Sequence, residues 1–287
     1  MSKHARVSFL QIETNLKGLG QIMLQENSIT GLLFLAGIFY GSFTFGIAAI
    51  LSVCIGTLSA VFLNFDEGEI RKGIYGFNAA LVGIAIITTF KPSFIIWCLI
   101  VVGAIVATLI HHLFYTKHIS SYTLAFVLTT WILLFFFNKV YPLPQRSIIS
   151  NNDTLGGYIL FRNYGQVIFQ SSILSGVMFF TGVFANSRIA AIYGVLSGLI
   201  STYISSLWYA PADMAQMGLL GYNAVLVGIA FSGKSIRNIL WVVCAITLSV
   251  IISFVLFKTN ITPLTFPFVA ATVSTNYLIK ITTKAHQ

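Results

Sequence analysis

GLGQIMLQENSITGLLFLAGIFYGS, residues 18–42, reads without a gap onto NYGQVIFQSSILSGVMFFTGVFANS, residues 163–187. The offset is 145 residues. At the same offset KGIYGFNAALVGIAI (72–86) lies over MGLLGYNAVLVGIAF (217–231), so that Gly73, Gly76, Asn78, Ala79, Leu81, Val82, Gly83, Ile84 and Ala85 each recur. A third block, TLAFVLTT (123–130), matches TFPFVAAT (265–272) at an offset of 142. Apolar composition alone does not produce three blocks in one order at nearly one spacing. The chain reads as a duplication, with one half over 1–145 and the other over 146–287.

Composition says where these halves reside. Of 287 residues 57% are hydrophobic and 8% are charged, and the mean hydropathy is +0.89. Soluble domains carry about a quarter charged residues, so a surface this poor in charge faces lipid. Runs such as Phe94–Leu113 and Ile239–Phe257 approach the ~20 residues that cross a bilayer as a helix. Strand-like alternation is absent, which argues against a membrane β-barrel. The expected class is an all-α integral membrane protein.

The first half offers apolar stretches near 5–25, 28–44, 46–64, 74–88, 93–115 and 121–139. The fourth is short, follows the charged loop Asp66–Lys72 and opens on Gly73 and Gly76, and its repeat in the second half opens on Gly218 and Gly221. Short, glycine-interrupted segments at matching places predict discontinuous helices around a binding site. With that stretch re-entrant, five transmembrane helices plus one half-helix remain per half. An odd number of crossings makes the two repeats inverted, around a single pore. The net charge of +9 is scattered singly at segment ends rather than gathered into a nucleic-acid patch. Lys3, Arg6 and Lys17 near one end and Lys280 and Lys284 near the other predict both termini cytoplasmic, in agreement with ten crossings. No cleavable signal peptide is apparent. Cys54, Cys98 and Cys244 have no metal-ligand spacing and read as small buried residues.

Several polar residues survive in both halves. Asn78 and Asn223 stand in the apolar repeats GFNAALVG and GYNAVLVG. One reading makes each a buried amide tying down the backbone where a half-helix starts; the other makes the half-helix, with Gly76 and Gly221 before it, the wall of a path. Gln21 and Gln166 recur in a matched Gly-Gln context, and Gln25 and Gln170 recur as well. Thr123 and Thr265 open the third block; each either bonds back to its own helix or faces a path. The repeated motifs hold no Asp, Glu, Lys, Arg or His except Glu26 and Lys72 at their edges, although ion-coupled transporters commonly use intramembrane ionisable groups. His111, His112 and His118 lack repeat partners and are expected at the membrane interface. No nucleophile–base pair, metal cluster or phosphate loop appears, so neither enzymatic activity nor a cofactor is expected. The conduit is built for something neutral.

These residues resemble the urea transporter family, of the bacterial type of urea channel. The resemblance rests on GQIMLQENSITG with GQVIFQSSILSG, on GFNAALVG with GYNAVLVG, and on TLAF with TFPF, and it spans nearly the whole chain. It implies a homotrimer in lipid, in the plasma membrane or bacterial inner membrane, with a pore in each protomer. Urea would move passively down its gradient through a narrow slot lined by a ladder of oxygens. The resemblance further implies Phe77 and Tyr222 flanking the slot, Leu81 and Leu226 one turn onward, and Leu24 and Phe169 as further slot residues. Gln21 and Gln166 would stand by the half-helices, and Thr123 and Thr265 would bond solute at the central constriction. Ala125 replaces a proline that Pro267 keeps, Ser172 stands where the other half has Asn27, and Tyr222 adds a hydroxyl where phenylalanine is common. The alternatives are an ion-coupled secondary transporter, a channel for another small neutral solute such as an amide or ammonia, and a membrane enzyme or scaffold without flux.

Overall fold

The computed structural model describes residues 3–146 and 158–284. It is 77% helical, with no strand among the described residues; Phe90 and Gln145 form an isolated bridge. The first series is α1 (Lys3–Gln21), α2 (Ser28–Gly41), α3 (Phe43–Phe62), α4 (Glu67–Arg71), α5 (Phe77–Thr89), α6 (Phe94–Thr116) and α7 (Leu124–Phe135), which runs on into a π turn at Phe136–Val140. The second is α8 (Ile159–Gln166), α9 (Ile173–Asn186), α10 (Arg188–Trp208), α11 (Ala212–Gln216), α12 (Tyr222–Ala230), α13 (Ile236–Lys258) and α14 (Phe266–Lys284). Among the described residues α3, α6, α10 and α13 are long and apolar enough to cross a membrane. The chain is a multi-pass, all-helical membrane protein. The expected junction between the halves, at 145/146, adjoins residues 147–157, which lie outside the described residues.

Local chemistry sets the helix ends. Asn27 caps α2 by accepting from the Thr30 amide at 3.0 Å, Ser187 caps α10, and Ser235 with Asn238 forms a capping box on α13. Ser172, in the place corresponding to Asn27, makes no such bond at α9. The apolar stretch expected over 5–25 ends as helix at Gln21. The Gln25 amide reaches back to the Gly20 carbonyl and the Leu24 amide to Gln21, closing the turn with Leu24 at φ 61°. α8 ends the same way, with the Gln170 amide on the Gly165 carbonyl and Phe169 at φ 57°.

Two repeat-related helices pack on each other. The Thr30 hydroxyl donates to the Gly182 carbonyl at 2.8 Å, and the Ser175 hydroxyl donates to the Gly37 carbonyl at 2.8 Å. Between them the rings of Phe34 and Phe179 meet edge to face at 5.3 Å. Positions 30 and 175, 34 and 179, and 37 and 182 are each 145 apart, so every contact is matched by its reciprocal, as across a two-fold axis. The start of α2 meets the end of α9, so these helices run antiparallel. Elsewhere small residues bring helices close: a Cβ on Gly83 would strike Ser52, and one on Gly228 would strike Ser197.

Gly73 and Gly218 both sit at φ +78°. A Cβ on Gly73 would lie 2.3 Å from the Gly18 nitrogen, and one on Gly218 2.4 Å from the Arg162 carbonyl carbon. Left-handed strain and backbone overlap therefore coincide at both positions. Gly73→Ala or Gly218→Ala should destabilise the detergent-solubilised protein by about 2 kcal/mol or more, read as a lower melting temperature. Gly68→Ala, on the exposed turn α4, should leave it unchanged.

Candidate functional site

The site begins with two helices that are short and buried along nearly their whole length. α5 has 13 residues and α12 has 9, about 20 and 14 Å at 1.5 Å per residue, against a hydrocarbon core of about 30 Å. Phe77–Ile87 of α5 and Asn223–Ile229 of α12 are all buried. A helix starting inside the molecule presents free amides and needs neighbours that hold its entry segment.

Asn78 and Asn223 supply that hold. Asn78 Oδ1 accepts from the Phe126 amide at 3.0 Å, and its Nδ2 donates to the Tyr122 carbonyl at 3.2 Å. Asn223 Oδ1 accepts from the Phe268 amide at 3.2 Å, and its Nδ2 donates to the Leu264 carbonyl at 3.1 Å. Each amide thus pins the start of α7 or α14 to the start of a half-helix. The pinned residues Tyr122 and Leu264 both have φ +46°, a conformation bulky residues avoid unless their surroundings impose it. The Tyr222 hydroxyl adds a second bond to the Leu264 carbonyl. Gln21 donates to the Lys72 carbonyl at 3.2 Å and Gln166 to the Met217 carbonyl at 2.9 Å. Those carbonyls precede Gly73 and Gly218, so the glutamines fix the turns that lead into the half-helices. Gly76 and Gly221 are the residues immediately before α5 and α12.

The entry segments bring Thr123 and Thr265 together. Their hydroxyls are hydrogen-bonded at 2.7 Å across 142 residues of sequence, and each residue is 2% exposed. Beside the second half lies a cavity of ≈ 500 Å³. Its wall holds Gln166, Phe169 and Tyr222 together with Asn223, faced by Ala85 and Thr89 of α5 and by Thr130 and Leu134 of α7. No Asp, Glu, Lys, Arg or His is among its lining residues. Leu81 and Leu226 are fully buried in the apolar core, and neither they nor Thr123 and Thr265 are on this wall. Gln21, Leu24 and Phe77 occupy the corresponding places in the first half and are not on this wall either.

One expectation needs correction. His111 is 7% exposed rather than interfacial. Its Nδ1 lies 3.1 Å from Asn78 Nδ2 and 3.4 Å from the Ser121 hydroxyl. Because Asn78 Oδ1 is committed to the Phe126 amide, Nδ2 is the donor, so His111 Nδ1 accepts and Nε2 carries the proton. The reason is packing: α6 runs alongside α5, and the Phe77 ring meets the imidazole edge to face at 5.3 Å. His112 is half-buried, stacked on Phe65 at 3.5 Å, and His118 is exposed. The residues missed from sequence are those without repeat partners, such as His111 and Tyr209, and Thr130, whose signal was present as the last residue of the third block.

Removing Asn78 strands the Phe126 amide and the Tyr122 carbonyl, and removing Asn223 strands the Phe268 amide while the Leu264 carbonyl keeps its bond from Tyr222, each stranded group costing about 1–3 kcal/mol. Asn78→Ala and Asn223→Ala should therefore lower the melting temperature in detergent sharply. Ser206→Ala, on an exposed side chain bonded only within its own helix, should not.

The family model described as Urea transporter matches residues 12–280. Urea transporter 1 of Ovis aries is 25% identical over 293 residues, covering 90% of this chain and 74% of that protein. Urea transporter 1 of Capra hircus is 24% identical over 285 residues with the same coverage. For Urea transporter 1 of Rattus norvegicus the figures are 24% over 238 residues, 76% of this chain and 62% of the relative, so this match spans less than two thirds of the rat protein. With duplicated half-helices, paired threonines and a family match over nearly its whole length, this chain belongs to the urea transporter family.

Proposed function

We propose that the protein is a passive urea channel. Two inverted repeats, 1–145 and 146–287, enclose one passage in each protomer of a homotrimer. Each half is read as five crossing segments built on α1, α2, α3, α6 and α7, or on α8, α9, α10, α13 and α14, while α5 or α12, distinguished from the comparably short α2, α7, α8 and α9 by burial along nearly its whole length, enters partway and stops. The antiparallel, reciprocal packing of α2 on α9 supports the inversion. The charge at the chain ends supports cytoplasmic termini in a plasma membrane or bacterial inner membrane.

The observation that carries the reading is the threonine pair. Two hydroxyls from opposite halves meet at 2.7 Å in a buried interior, next to a cavity whose walls hold no charge. Urea is flat and neutral, with four N–H donors and one carbonyl. Stripping water from one such group without replacement costs about 2–7 kcal/mol, so a selective passage has to offer fixed acceptors. Thr123 and Thr265 offer hydroxyls at the narrow centre, and Gln166 offers its amide oxygen while its nitrogen is held by Met217. Phe169 and Tyr222 in one half, with Leu24 and Phe77 in the other, supply the flat apolar walls, backed by Leu81 and Leu226. A hydrated ion gains nothing from such walls and loses its water. The uncharged cavity also argues against the ion-coupled alternative, which calls for an ionisable group at the binding site.

Proteoliposomes given an inward urea gradient should reswell at a rate that ignores superimposed proton or sodium gradients. Accumulation of urea against its gradient would remove the channel reading. Thr265→Val and Gln166→Leu should each lower urea permeability by about 3- to 10-fold, the loss expected of one hydrogen bond, with insertion into the membrane retained.

A further inference from the structure

Where α9 ends against the turn that closes α1, one side chain from the second half completes a polar joint in the first. Asn186 Nδ2 donates to Gln25 Oε1 at 2.8 Å, and Asn186 Oδ1 accepts from Asn27 Nδ2 at 3.2 Å. Gln25 is 3% exposed, and its own Nε2 is spent on the Met23 carbonyl at 2.9 Å. A single carboxamide thus gives one hydrogen and takes one, each with a different neighbour. The two-fold relation of the halves puts Gln170, Ser172 and Gly41 in the places of Gln25, Asn27 and Asn186, each 145 residues from its mate. Gln170 is 2% exposed, and its Nε2 repeats the bond of its mate, to the Ile168 carbonyl at 3.1 Å. The third member of the joint is missing, because glycine has no side chain to offer.

At that place there is room. A cavity of ≈ 430 Å³ has Gly41, Ser171, Ser172, Arg162 and the exposed Tyr40 on its wall. Gln170 adjoins Gly41, where an added Cβ would strike its Oε1. Among the described residues no donor reaches that oxygen, and it is not one of the unpartnered atoms sealed from solvent. Ser172 makes no cap bond, so α9 starts without the side-chain acceptor that Asn27 gives α2. Arg162 Nη1 donates to the Gln216 carbonyl at 3.1 Å. The wall therefore asks for two things at once, a donor for Gln170 Oε1 and an acceptor for the Ser172 hydroxyl and the first amides of α9. An anion would set its charge against the Gln170 oxygen. A cation would face the guanidinium and the positive end of a 14-residue helix. A neutral group with both N–H and C=O fits, as the Asn186 carboxamide does in the first half.

We infer that this cavity binds urea or another small primary amide at a site outside the passage, the ligand's N–H donating to Gln170 Oε1 and its carbonyl accepting from Ser172 and the start of α9. The site goes beyond the channel reading and does not depend on it, since it rests on the joint of Gln25, Asn27 and Asn186 rather than on Thr123 and Thr265. None of its residues lines the ≈ 500 Å³ cavity. Gln170 nevertheless follows directly on Phe169, which does line it, so a ligand here bears on the turn that positions a slot residue.

Selenourea keeps the N–H groups of urea and carries selenium, which anomalous diffraction locates in crystals of the full chain. Soaked crystals of the parent should show selenium in the cavity between Gly41 and Ser172. Gly41→Asn supplies a carboxamide from the chain itself, as Asn186 does, with only the free end of the Gln170 side chain having to move. It should abolish that selenium peak and raise the melting temperature in detergent. Ser172→Ala, which removes one partly exposed hydroxyl and keeps the fold, should raise the selenourea concentration for half occupancy about 3- to 10-fold, the loss expected of one hydrogen bond. A parent cavity without selenium, or a peak that persists undiminished in both variants, would overturn the site. Selenium in the passage but not here would likewise overturn it and leave the channel reading standing. Selenium here in a parent that conducts no urea would uphold the site and remove the channel.

Discussion

Everything in this structure depends on keeping two short helices buried inside the protein with their backbone groups satisfied. A helix that crosses the bilayer leaves its free amides and carbonyls in the interfacial water, whereas one that starts inside the molecule does not. The solution is a pair of asparagines. Each amide accepts from one backbone N–H and donates to one backbone carbonyl on the segment that opens the facing helix. Those carbonyls belong to residues at φ +46°, so the amides also hold a backbone conformation that the residues would not choose. Loss of an asparagine would therefore release strain and expose polar groups together, which ties the half-helix start and the central threonines into one unit. In the channel reading proposed above, the passage is a by-product of that unit. Once the half-helices end inside, the adjoining backbone and hydroxyls remain as the polar inventory of an otherwise apolar interior.

The duplication carries the unusual backbone with it. Leu24 and Phe169, Gly73 and Gly218, His118 and Asn260, and Tyr122 and Leu264 pair across the halves, and all eight have positive φ. Glycine stands at the pair where a Cβ would strike neighbouring backbone. Large apolar residues persist at 24 and 169, although glycine would adopt the same turn without strain. Accepting about 1–2 kcal/mol of left-handed strain at both is explicable if the side chain is wanted at that spot. Phe169 is indeed on the cavity wall, and its ring also meets Phe126 edge to face at 6.1 Å. Strain of this kind concentrates where a side chain has work to do.

Much of this was legible in the residues because duplication doubles every signal. Asn78 alone would be one polar residue in an apolar run; Asn78 with Asn223 is a position the fold requires. The shortness of α5 was readable from Gly73 and Gly76 and the charged loop before them. What resisted reading was whatever occurs once or depends on orientation. His111 looked interfacial because it sits near the end of an apolar run beside a second histidine, and nothing local reveals that α5 will pack against that face. The two senses of Asn78, structural tie or path lining, could not be separated without knowing where its amide points.

The side chains also show what symmetry leaves free. In the first half the two Asn78 N–H groups go to the Tyr122 carbonyl and to His111 Nδ1. In the second half the place corresponding to His111 is Ser253, on the cavity wall, and the Leu264 carbonyl receives both Asn223 Nδ2 and the Tyr222 hydroxyl. Phe77, in the place of Tyr222, has no hydroxyl to give. The two halves thus secure one shared joint with different third partners, a buried imidazole on one side and a phenol on the other. Loss of His111 would leave one Asn78 N–H without its acceptor, whereas loss of the Tyr222 hydroxyl would leave the Leu264 carbonyl with Asn223 alone, so the two halves depend on their third partners unequally. What the halves share is the asparagine that accepts one backbone N–H and donates to one backbone carbonyl, and what differs is the group that fills the remaining valence of that joint.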